Sequence, residues 1–456
     1  MKILKTIIFF SFINFIYNSV VYLDLNSFNF NNDTITRKDI INSLFNTNIN
    51  SEICVGNPKQ CRKFLIDLNF YPFFIVSKDT KNINNISNKF NQELSTTYSF
   101  VNSNESKHYY SPYFQYGVDS KDLIYINSIE NEEFFMNNTN FLLVNELASY
   151  EEILNKYEYF SGSVGLGVFD YNEYTCCFKM DFGFIFSLKK EKIIENSNFF
   201  FKFDKKNDKI GKLFFGEKPH NLFPYEFKYE KYVEKHASNY FITIHWVIEI
   251  DNVYFGFGNF VNFTYCLFDV QNGMIMADGG FKEIVDRNFF NEEIKKGNCG
   301  IEIIEDYIYY YCNKKANLKN FEDVKFYSHD YNYTFVFTKD DLFYTYNNTK
   351  YFLIYFPKSD ASKSNTWILG KVFLKKYLFV FNSDSKTIGF YKEDIVINKL
   401  KNKNSILLII LICISILILI SLIYIIIFYL KKERKKKAFE LNEEYVYQLA
   451  ESVKNN

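Results

Sequence analysis

Two stretches decide the reading of this chain: Phe64-Leu65-Ile66-Asp67-Leu68-Asn69 and Ile275-Met276-Ala277-Asp278-Gly279-Gly280. Each is an apolar run that ends on an aspartate and turns at once. An apolar strand is anchored by burial, and the acid at its end is delivered to a loop, where a side chain is free to do chemistry. An apolar-Gly turn follows each stretch. Gly165, in Ser163-Val164-Gly165-Leu166-Gly167, lies 98 residues past Asp67 (165 − 67). Gly370, in Trp367-Ile368-Leu369-Gly370, lies 92 past Asp278 (370 − 278). One aspartate per half in matching contexts predicts a duplicated lobe and a shared two-carboxylate site at Asp67 and Asp278.

Composition narrows the class. The 456 residues carry 53 basic and 53 acidic side chains, so whole-chain charge gives no footprint for a nucleic-acid partner. Aromatic residues make up 20% of the chain, and aromatic and β-branched residues favour strands, which predicts an all-β body. Once the two ends are set aside, the body is long enough for two lobes.

The ends read as membrane signals. Lys2 and Lys5 precede the apolar run Ile7–Tyr17, the pattern of a secretory signal over residues 1–20. Ser405 to Leu430 is uninterrupted by charge, and at about 1.5 Å per residue it spans a bilayer core of about 30 Å as a transmembrane helix. Lys431, Lys432, Arg434, Lys435, Lys436 and Lys437 follow at once and mark the cytosolic side. The expected topology is single-pass type I, in the secretory pathway or surface membrane, with the body luminal or extracellular and the tail 431–456 cytosolic.

Within the body, residues 21–50 are Asn-rich and read as a short pro-segment or an extra strand. Ile53 to Ile66 reads as a hairpin turning at Gly56-Asn57-Pro58-Lys59, which sets Cys54 opposite Cys61. A secreted context permits a disulfide there and a second local pair at Cys299 and Cys312. Cys176, Cys177 and Cys266 then leave one thiol over. Adjacent Cys176 and Cys177 with few histidines nearby do not make a zinc pattern, and neither metal nor cofactor is expected. Helical signals are few, the best at Phe281–Lys296.

With those residues in place the body, roughly 50 to 395, resembles the pepsin-like aspartic proteases. Ile53 to Gln60 is similar to the family's opening I-x-I-G-T-P-P-Q, and Phe64 to Ser77 to F-D-T-G-S-S-N-L-W-V. Ser95-Thr96-Thr97-Tyr98 is similar to S-S-T-Y. Tyr116-Gly117 stands where the family has its flap, over the substrate. Ser161 to Gly167 resembles D-G-I-L-G-L-G, Tyr240 to Gly256 the second-lobe Y-W segment, and Ile275 to Lys282 A-I-V-D-T-G-T-S. Trp367 to Tyr377 resembles W-I-L-G-D-V-F-L-R-x-Y. Pairing Gly279 with the second motif's glycine would put Ala277 at the acid; aligning aspartate with aspartate selects Asp278. The resemblance implies a bilobal β fold, with an N-terminal lobe over 51–230 and a C-terminal lobe over 231–395. It implies a cleft between them for a peptide or protein, lined by Asp67, Asp278 and the flap residues Tyr116 and Gly117. The anchor is similar to that of membrane-anchored, plasmepsin-like members.

The supports around the acids depart from the pattern. D-T-G-S becomes Asp67-Leu68-Asn69-Phe70, and D-T-G-T becomes Asp278-Gly279-Gly280-Phe281. In the family the threonines hydrogen-bond across the two loops, and the hydroxyls after each glycine orient the carboxylates. A dyad without those groups predicts weak or lost peptidase activity, because small misplacements cost large factors in rate. Two functions follow: a membrane-anchored aspartic endopeptidase, or an impaired relative that binds a peptide or protein partner in the cleft.

Overall fold

The computed structural model describes residues 20–27, 36–81, 89–110, 113–128, 133–147, 159–168, 182–204, 211–237, 245–358, 366–392 and 431–433, with the backbone alone at 102–110, 113–116 and 261–263. The expected signal peptide, the span 405–430, Cys176, Cys177 and most of the tail lie outside these residues. Among the described residues no helix is long and apolar enough to cross a membrane.

The body is mostly β, in two sheets. The first half runs through β1 (Val21–Ser27), β2 (Ile49–Val55), β3 (Gln60–Asp67), β4 (Phe74–Lys81), β5 (Ser99–Tyr110), β6 (Tyr113–Ser128) and β7 (Glu133–Leu147). Then come β8 (Gly162–Gly165), β9 (Asn198–Phe203), β10 (Gly211–Phe215) and β11 (Tyr232–His236). The second half runs through β12 (Val247–Phe255), β13 (Gly258–Phe268), β14 (Ile275–Met276), β15 (Cys299–Ile304), β16 (Tyr307–Asn313), β17 (Val324–Ser328) and β18 (Tyr333–Phe337). It ends with β19 (Phe343–Tyr346), β20 (Thr349–Phe352), β21 (Ile354–Pro357), β22 (Thr366–Leu369), β23 (Phe379–Asn382) and β24 (Thr387–Tyr391).

One sheet has the order β11-β24-β23-β9-β10-β1-β2-β3-β8-β4-β7-β6-β5, and the other β18-β17-β12-β13-β22-β14-β21-β16-β20-β19. The last two strands of the body thus return to the first sheet, so the sheets do not divide at residue 230. Val21–Ser27 is a strand of that sheet, paired with β10 from Val21 opposite Phe215.

Alternation explains the layering. Phe64 and Ile66 point into the main core with Phe73, Ile75, Phe141 and Leu143. Leu65, Phe74, Val76, Leu142 and Val144 point the other way into a second apolar cluster. A strand buried on both faces reads as a continuous apolar run, which is the pattern Phe64–Ile66 shows. The hairpin β2–β3 pairs Cys54 with Cys61, and β15–β16 pairs Cys299 with Cys312; both pairs are disulfides. Cys266 is a buried free thiol, and burial raises its pKa.

Helices are short. Thr36 caps the helix Arg37–Phe45 through a capping box with Asp39. The helix lays Ile40 and Ile41 on Met274, Tyr309 and Tyr355 of the second half. The expected helical stretch at 281–296 is a run of three segments, Gly279–Val285, Asp286–Phe290 and Asn291–Lys295.

Candidate active site

The first acid sits at the end of a four-strand arrangement. β3 runs parallel to β8, pairing Leu65 with Ser163, Ile66 with Val164 and Asp67 with Gly165. β4 pairs antiparallel with β8, Phe74 opposite Ser163, and parallel with β7. The backbone between β3 and β4 therefore loops past Gly165. A Cβ at Gly165 would lie 2.5 Å from the Tyr71 and Pro72 carbonyl oxygens, so only glycine fits there. The loop turns on its own acid: the Asn69 N–H donates to Asp67 Oδ1 at 2.8 Å. The Leu166 N–H donates to the Asp67 carbonyl at 2.7 Å.

The second half repeats this arrangement, but not around Asp278. β13 runs parallel to β22, pairing Leu267 with Ile368 and Phe268 with Leu369. β14 pairs antiparallel with β22, Ile275 opposite Leu369, and parallel with β21. Extending the β13–β22 register by one residue puts Asp269 opposite Gly370, as Asp67 stands opposite Gly165. The Asp269 N–H donates to the Leu369 carbonyl at 3.1 Å. The Gln271 N–H donates to Asp269 Oδ1 at 2.9 Å, the same turn that Asn69 makes on Asp67. A Cβ at Gly370 would lie 2.0 Å from the Met274 carbonyl oxygen. Both acids are partly exposed, and in both loops the next residue, Leu68 or Val270, is fully buried.

Asp278, the acid expected from the sequence, occupies a different setting. It lies past the short strand β14, at the N-cap of the helix Gly279–Val285, where its Oδ1 accepts the Gly280 N–H at 2.7 Å. It is 5% exposed. An aspartate there satisfies an open N–H of the first turn, a structural role. The run ending on Asp278 resembled the motif because an apolar strand before a capped helix has the same pattern as an apolar strand before an acid turn.

Hydrogen bonds tie the two acid loops together. Gln271, two residues past Asp269, sends Nε2 to the carbonyls of Ile49, at 2.8 Å, and of Ile66, next to Asp67. Thr47 Oγ1 donates to the Val270 carbonyl at 2.9 Å and the Gln271 carbonyl at 3.0 Å, and the Thr47 N–H also reaches Gln271. Trp246 Nε1 donates to the Leu166 carbonyl at 2.7 Å. Leu68 and Val270 stand at the family's threonine positions and are apolar; the bond toward the Asp67 loop comes from Gln271 Nε2, and Thr47 braces the Asp269 loop from segment 45–49. The positions of the orienting hydroxyls hold Phe70 and Asn272. Phe70 packs edge-on against Phe74, and the Asn272 amide is engaged with Tyr355 Oη and the Met274 N–H.

His245 is the titratable neighbour of Asp67. Its Nδ1 lies 3.1 Å from Asn69 Oδ1. Burial holds its pKa below the ordinary value, and the Asp67 charge opposes that shift. The flap residues sit on the return strand of the β5–β6 hairpin: Tyr116 is opposite Lys107 and Gly117 opposite Ser106, with β7 on the other side. Turn residues 111 and 112 lie outside the described residues. Among the described residues no group of three or more histidine, cysteine or carboxylate side chains could hold a metal.

Two short apolar-Gly arrangements, each presenting one aspartate and bonded to the other across the molecule, define a two-acid β protein. The family model of the eukaryotic aspartyl proteases matches residues 49–393, and the chain belongs to that family. No curated protein matches the chain.

The residues missed by sequence reading were Asp269, Gln271, Thr47 and His245. A signal for Asp269 was present. Cys266-Leu267-Phe268-Asp269 also ends an apolar run on an acid, and Gly370 follows it by 101 residues (370 − 269), closer to the 98 of the first half than the 92 counted from Asp278.

Proposed function

We propose that the protein is a slow aspartic endopeptidase whose acid pair is Asp67 and Asp269, held in the secretory pathway or at the surface by the apolar segment 405–430. The observation that carries the reading is the repeated strand register, which delivers one partly exposed carboxylate per half to the same kind of turn. Two carboxylates brought together cannot both ionise readily, so one keeps a proton and the other acts as base. The ionised acid takes a proton from water as the water attacks the peptide carbonyl; the protonated acid donates to the carbonyl oxygen. The low rate follows from Phe70 and Asn272, which offer the carboxylates no orienting hydroxyl.

The same two residues favour a second reading, in which a peptide or protein partner binds between the halves without being cut. Full-length protein incubated with a diverse peptide pool at mildly acid pH decides between them. Cleavage that is lost in Asp67→Asn and Asp269→Asn but retained in Asp278→Asn supports the proposal. Loss in Asp278→Asn with retention in Asp269→Asn overturns the acid assignment. Peptide binding without cleavage supports the second reading. For the topology, protease added outside sealed cells should spare the tail 431–456; removal of the tail with the body spared would reverse the orientation.

A further inference from the structure

The site contains a titratable ring that the two-acid chemistry does not require. His245 lies just before β12, next to Trp246, whose indole anchors that segment to the Leu166 carbonyl. A short chain of bonds joins its ring to Asp67. His245 Nδ1 meets Asn69 Oδ1 at 3.1 Å, and the Asn69 N–H meets Asp67 Oδ1 at 2.8 Å. The amide oxygen accepts, so Nδ1 carries the hydrogen and Nε2 is left as the nitrogen that gains or loses a proton. Among the described residues Asp67 is the charged group acting on the imidazole. Asn69 and Phe70 of the facing loop are neutral, as are Trp246 and Val247 beyond it on its own segment.

We propose that His245 is a positioning residue for Asp67: its ring, held through Asn69, places a proton-dependent positive charge beside one member of the acid pair and so biases which acid is ionised. This rests on the reading of Asp67 as an acid of the site. With the ring protonated, the ionised form of Asp67 is stabilised and Asp269 keeps the shared proton. With the ring neutral, that bias vanishes. While the ring is protonated, an enzyme whose base is Asp67 keeps that base ionised further into the acid range than the loop alone would allow. Asn69 has a role in the same arrangement: at a position where a glycine would offer no side chain, its amide transmits the ring's placement to the turn that holds the acid.

The relation between the two groups is reciprocal, which makes it measurable without turnover. In full-length protein carrying isotope-labelled histidine, the His245 ring resonance is the one missing from His245→Gln. Its titration should move to lower pH by about one unit in Asp67→Asn, the scale set by removing an opposite charge at close range. In Asn69→Ala the ring loses its tether, and the difference made by Asp67→Asn should shrink. The acid limb of kcat/KM should move to higher pH in His245→Gln. An unchanged His245 titration in Asp67→Asn overturns the proposal, whatever the activity. Absence of cleavage in the native protein tells against the peptidase reading alone, because the titration still decides the role of His245.

Discussion

Gln271 is the clearest test of how the two halves are held in register. Its side chain is buried, and Nε2 donates to the carbonyls of both Ile49 and Ile66. Oε1 is buried without a hydrogen-bond partner among the described atoms. Replacing Gln271 by Met keeps the volume and removes both bonds, each worth about 0.5–1.5 kcal/mol net, while relieving the unpaired oxygen. The expected loss is about 1–2 kcal/mol. Gln271→Glu keeps the shape but turns an acceptor toward two carbonyls and buries a charge with no partner, for an expected loss of about 3–5 kcal/mol at neutral pH. Urea unfolding followed by tryptophan fluorescence reads both. The two tryptophans, Trp246 and Trp367, are fully buried in the core. Combining Gln271→Met with Thr47→Val should be non-additive, because both side chains bond the same loop. A Gln271→Glu protein as stable as the native one would show that the cross-loop bonds do not hold the site together.

Three further outcomes follow from the same geometry. Gly370→Ala should destabilise by more than about 2 kcal/mol, because its Cβ would meet backbone at 2.0 Å. Gly279→Ala should be neutral or stabilising by up to about 1 kcal/mol, since a Cβ there meets nothing within 4 Å and Ala favours the helix; equal costs in thermal melts would refute the placement of the acid loop at Gly370. The His245 pKa is held below its ordinary 6.5 chiefly by burial, so the unfolded chain takes up that proton first. The native protein should therefore lose stability relative to His245→Phe as pH falls from about 7 through 6.5 toward the lower folded pKa, and a difference that stays flat between about pH 7 and 5 would show that the ring is not buried in solution.

Much of the first half was legible because its signals are local. The apolar run Phe64–Ile66, the turn at Gly56 and the cross-strand cysteines each concern neighbouring residues, and the structure holds them as read. The β-rich composition and the ordered motifs were enough for the family, since strand propensity and apolar spacing are carried by side chains themselves. The placement of Asp269 was not legible in that way. Both Asp269 and Asp278 end apolar runs, and local pattern does not separate them. What separates them is which strand lies parallel to β22, a pairing of residues about a hundred positions apart in the chain.

The sequence alone determined that this chain makes strands and that an apolar run in its first half ends on Asp67 at a turn. Only the tertiary structure set Asp269 opposite Gly370 in the register that Asp67 has with Gly165, and brought Gln271 and Thr47 to bond around that turn. Gln271 and Thr47 read in isolation as an ordinary buried glutamine and a loop threonine. They become cross-loop donors only because the segment 45–49 folds against the Asp269 loop, and hydrogen bonds across such distances follow from backbone placement rather than from the residue types that make them.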